Sequence, residues 1–115
     1  MTDPISPQMS DIIRRAGLQE YEYRYFPPST GERPHRVYPY MRTREINVYT
    51  IQMTRTVGAC QIKVYENLAG GRRKLRATWS GMEKAECEKK FEAISETVRQ
   101  VVFEYKTDMV RRLRD

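Results

Sequence analysis

The chain has one histidine, His35, and two cysteines, Cys60 and Cys87, in 115 residues. A single histidine excludes a histidine-based metal cluster or acid–base pair. Two cysteines without CxxC spacing make neither a zinc ribbon nor a disulfide framework. Cys60 falls on the apolar side of a predicted strand and Cys87 on the apolar stripe of a predicted helix, so both are expected as buried thiols. There is no GxxxxGK[ST] phosphate loop, and Gly70-Gly71-Arg72 reads as a hairpin turn. The predicted strands hold few acids beyond Glu45 and Glu66, too few to cluster around a catalytic ion. No stretch reaches the ~18 apolar residues of a membrane-spanning helix. The start, Met1-Thr2-Asp3-Pro4, lacks the basic and apolar regions of a secretion signal. These absences predict a cytoplasmic, non-enzymatic protein with no cofactor, no metal and no small-molecule substrate.

Positive charge is the main surplus. Lys plus Arg number 21 against 15 Asp plus Glu, a formal charge of +6. Most of the cations are arginine, whose planar fork pairs with phosphate and stacks on rings. That balance is compatible with a polyanionic partner and equally with a basic, solvated surface.

The hydrophobic pattern predicts α+β architecture: an antiparallel sheet of about four strands, covered on one face by a long C-terminal helix, with a short N-terminal helix. Residues 1–9 are expected as a flexible tail and residues 10–115 as one domain. Ser10 is the expected cap of a helix over Asp11–Ala16 that Gly17 ends. Strands are predicted over residues 20–26, 45–55, 59–66 and 72–79, with a basic, proline-rich loop over 27–44. Ser80 and Glu83 fit a capping box that opens a helix running to the C-terminus. Cys87, Phe91, Ile94, Val98, Val102, Tyr105, Met109 and Leu113 recur on it at steps of three and four. About 33 helical residues span roughly 50 Å, whereas four strands spaced ~4.8 Å apart make a sheet only about 20 Å wide. The far half of the helix is therefore expected to pair with a second copy through Val98, Val102, Tyr105 and Met109.

Strand parity supplies the candidate working face. With Cys60, Ile62, Val64, Leu75, Ala77 and Trp79 turned toward the helix, Lys63, Tyr65, Lys74 and Arg76 project from the other side. Tyr49 and Arg55 join them if the second strand follows suit, although Ile51 and Met53 share their parity. Arg72 and Arg73 lie beside the hairpin. Cations track phosphates, and tyrosine rings stack on unpaired bases. Tyr49, Arg55, Lys63, Tyr65, Arg72, Arg73, Lys74 and Arg76 are thus the candidate contacts for single-stranded DNA or RNA. Alternating cations on a solvent-facing strand also serve solubility and keep edges from pairing.

The order of four strands followed by a helix, with an open basic and aromatic sheet, resembles single-stranded nucleic-acid binders of the whirly and Pur type. The likeness is one of topology and transfers no individual residue. The expected function is non-enzymatic binding of single-stranded nucleic acid by a homodimer. The alternative is a small protein-interaction module, an inhibitor or adaptor that docks through its helix or its Tyr-rich strand.

Overall fold

The computed structural model describes residues 5–21, 40–56 and 58–114. Helix α1 (Pro7–Ala16) is followed by a two-residue strand β1 (Gln19–Glu20). Strands β2 (Tyr40–Ile46), β3 (Tyr49–Thr56), β4 (Ala59–Asn67) and β5 (Arg73–Gly81) then lead into helix α2 (Lys84–Arg114). The sheet is antiparallel throughout, in the order β1-β5-β4-β3-β2. The α+β expectation holds, with five strands in place of about four. The meander of four strands and a helix is β2 to β5 and α2.

Several boundaries differ from expectation, each for a local reason. Helix α1 begins earlier, at Pro7, because Ser6 rather than Ser10 is its cap: the Ser6 hydroxyl accepts the Met9 amide at 3.2 Å. Pro suits the first helical position, where no amide donor is needed. Residues 7–9, expected in the tail, are thus helical, and Met9 is fully buried. Gly17 closes the helix in the left-handed conformation. Of the strand expected over 20–26, Glu20 lies in β1 and the Tyr21 amide bonds to the Arg76 carbonyl; residues 22–26 lie outside the described residues. Tyr40–Arg44, expected in a loop, belong to β2. The long strand expected over 45–55 is broken by Asn47 and Val48. Asn47 has φ 55, a conformation asparagine tolerates better than most residues, and it folds Ile46 back opposite Tyr49. Ser80 is still in β5, paired with Gln61, so the capping box does not form. Helix α2 opens after Glu83, whose carbonyl accepts the Cys87 amide. Gly81 fits the exit from β5 because a Cβ there would lie 2.5 Å from the Trp79 ring.

Both helices pack on one side of the sheet. Ile51 and Met53 of β3, Ile62 and Val64 of β4 and Ala77 of β5 form its buried side. Phe91, Ile94 and Val98 of α2 meet them, and Met9, Ile12 and Ala16 of α1 close the same core. Cys60 and Cys87 do not remain separate thiols. They are joined in a disulfide, with Cα atoms 6.2 Å apart, tying the start of β4 to the first turns of α2. The span fits the 4.4–6.8 Å range of such bonds.

The bond closes a loop across a sequence separation of 27, so chain entropy predicts that losing it costs about 3–4 kcal/mol. Urea unfolding of the oxidised chain and of the Cys60→Ser, Cys87→Ser double variant should differ by that amount; coincident curves would show that the bond adds nothing.

Candidate interaction surfaces

The outer face of the sheet is uncovered by either helix, but it is less basic than strand parity predicts. β3 contributes Thr50, Gln52 and Thr54, and β4 contributes Gln61, Lys63 and Tyr65, in matched register. Thr50 and Asn67 hydrogen-bond to each other, and the Tyr65 hydroxyl donates to Gln52 Oε1 at 3.4 Å. Lys63, Tyr65 and Arg73 share this face. Arg72 is exposed beside it, after the tight turn at Ala69–Gly71. Arg73 approaches Glu45 of β2 at 3.7 Å. The face is mostly Thr and Gln, with Lys63 and Arg73 set against Glu45.

Four expected contacts lie elsewhere. Tyr49 is in the core at 1 % exposure. Its neighbours in β3, Ile51 and Met53, decide the parity, and burial is the main cause that pushes its phenol pKa up to about 12. Arg55 shares that inner row; it stacks 4.1 Å over the Tyr40 ring and pairs with Glu88 of α2 at 3.5 Å. Arg76 is turned inward by a bulge. The register runs Val64↔Ala77 and then Tyr65↔Leu75, leaving residue 76 as the extra one. A bulge reverses the facing of everything before it in the strand. Leu75 therefore joins the row of Tyr65, and Arg73, whose parity matched the apolar set, reaches the outer face. Arg76 binds Glu66 through Nε and Nη2, at 3.1 and 2.7 Å, with its side chain 7 % exposed. Lys74 lies opposite Glu66 in the ladder, on the inner row.

The inner row of β2 has its own use for arginine. Arg42 and Arg44 lie 5.0 and 4.9 Å from the centre of the buried Phe91 ring. Both pair with Glu92, Arg44 in a fork of 2.7 and 3.2 Å. The hydrogen bond from Arg44 is the main reason the Glu92 carboxyl sits below its ordinary pKa. These contacts seat the first half of α2 on the edge of the sheet.

The expected dimer residues are mostly occupied within the monomer. Val98 is fully buried and Val102 nearly so, because α1 lies against the second half of α2. The Tyr105 hydroxyl donates to Asp11 at 2.6 Å, and Arg15 pairs with Glu104 at 2.6 Å. The bond from Tyr105 is the leading cause that lowers the Asp11 pKa and, in return, raises that of Tyr105. Helix length alone suggested an uncovered half, but α1 supplies the cover. Only Met109 of that set is exposed.

Sequence periodicity missed Phe103 and Val110, and it expected Met109 and Leu113 on the packed stripe. Phe103, Met109, Val110 and Leu113 are exposed by 69, 64, 49 and 82 %. At about 100° per residue, Phe103 and Val110 lie more than a third of a turn from the centre of the buried stripe, whereas Met109 and Leu113 continue that stripe beyond its last packed turn. The signal was present as apolar residues off the main stripe. Lys106 stands between Phe103 and Val110 on the same line.

Arg76 and Lys63 test the two placements. Removing one partner of a buried pair leaves an uncompensated charge, so Arg76→Ala is expected to cost about 3 kcal/mol. Lys63→Ala should change stability by less than about 0.5 kcal/mol. Equal effects in denaturant melts would contradict the inward placement of Arg76. No protein-family model, curated protein or solved structure matches the chain.

Proposed function

We propose that the chain is a non-enzymatic protein-interaction module that docks through the solvent-facing end of α2. The supporting observation is the exposure of Phe103, Met109, Val110 and Leu113 on successive turns of a helix whose earlier turns are packed. Exposed apolar groups gathered on one element mark interaction sites more often than single exposed residues do. A helix that enters a groove uses anchors spaced i, i+3, i+4 and i+7, and Phe103 and Val110 stand seven apart. A cytoplasmic setting is part of this proposal.

Single-stranded DNA or RNA is a second candidate ligand, for a different surface. Lys63, Tyr65 and Arg73 share the open face, with Arg72 beside it, which leaves a small basic and aromatic patch.

Capture from a lysate of the source cells, followed by purification of the captured protein and rebinding, tests the docking proposal. Phe103→Glu combined with Leu113→Glu should weaken rebinding roughly tenfold or more, as loss of anchor residues does. Undiminished rebinding would move the site elsewhere. Salt-sensitive binding of single-stranded oligonucleotides that survives this variant, yet is lost in Lys63→Ala, Arg73→Ala, would favour the nucleic-acid surface.

A further inference from the structure

Resting on the docking role of α2, we infer that its exposed end fits an acidic, apolar-lined groove on a different protein. Phe103, Lys106, Val110 and Leu113 follow each other at i, i+3, i+7 and i+10. They form one ridge about 15 Å long on an arc of about 80°. The Lys106 stem continues the apolar line, and its ammonium stands in the middle of it.

Charge identifies the groove. The acids on this part of α2 are already engaged: Glu104 with Arg15 at 2.6 Å and Asp108 with Arg112 at 3.3 Å. Lys106 and Arg111 make no ion pair with any described residue. A groove that closes over the ridge must desolvate Lys106, and a carboxylate on its wall compensates that cost. A flat anionic membrane would instead let the Lys106 stem lie along the apolar boundary with its ammonium among the headgroup phosphates, and vesicles are therefore the competing surface in the test.

A second copy of the chain is a poor occupant. Pairing two α2 helices lengthwise on the side that carries Phe103 and Val110 makes a seam of Glu86, Lys89, Ala93, Glu96, Gln100, Phe103, Thr107 and Val110, at alternating steps of three and four. Paired helices need apolar residues at such positions, and only Ala93, Phe103 and Val110 qualify. An antiparallel pair centres on Glu96 and Gln100, and a parallel pair sets Lys89 and Glu96 against themselves.

Calcium-loaded calmodulin serves as the probe, being an acidic protein with a Met-lined groove that opens on calcium binding. The full-length chain should bind it in a titration and release it when calcium is chelated. Phe103→Ala with Val110→Ala, and separately Lys106→Gln with Arg111→Gln, should each weaken binding roughly tenfold or more; all four side chains are exposed, and circular dichroism checks the fold. No binding, or binding indifferent to Phe103 and Val110, overturns the inference. So does a preference for vesicles of mixed phosphatidylcholine and phosphatidylserine, or a dimer in light scattering that Phe103→Glu dissociates. If the captured partner depends on Phe103 and Leu113 while calmodulin is ignored, only the acidic-groove inference fails. If the captured partner ignores those residues, the docking proposal fails with it.

Discussion

The inner face of the sheet runs out of apolar residues at β2, and that shortage governs how the molecule uses its charge. Tyr40, Arg42, Arg44 and Ile46 take the positions facing α2 on this edge strand. A bare cation there would be a poor neighbour for a buried ring. Helix α2 answers with Phe91, whose face accepts the two guanidinium groups, and with Glu92, which takes their outward ends, while Glu88 pairs with Arg55 of β3. Exposed ion pairs of this kind contribute little each, about 0–1 kcal/mol. Together with the ring contacts they fix where the helix lies. Arginines that looked available for a ligand are thereby engaged in the fold.

The same seating explains the free end. The sheet holds α2 from Cys87 to Val98, and α1 holds it on to Tyr105 through Asp11, Arg15 and apolar packing. Helix α2 continues to Arg114, two further turns or more with no described element against them. Its residues there are not those of a purely solvated helix, since Met109, Val110 and Leu113 interrupt the arginines. The proposed docking role follows from this contrast between a clamped stem and an uncovered end.

Much of the layout was legible from the sequence. The α+β class, the meander, the apolar faces of β4 and α2 and the Gly17 stop all follow from period and turn chemistry. Residue 76 was misplaced because a bulge leaves no mark on an alternating pattern: Leu75, Ala77 and Trp79 look like one row until an extra residue divides them. Asn47 was overlooked as a turn since neither glycine nor proline accompanies it. Ser80 matched a cap, yet the strand carried on past it, where ladder pairing with Gln61 supplied the alternative. The dimer expectation compared helix length with sheet width and took no account of α1. Cys60 and Cys87 sit on separate elements, and only the packing of β4 against α2 shows that they meet.

Native-state hydrogen exchange along α2 measures the central contrast directly. Amides over residues 88–105 should be strongly protected, and those from 107 onward should exchange much faster, since local opening there breaks no packed contact. Uniform protection through residue 113 would contradict the account, because it would mean that the end of the helix is already covered.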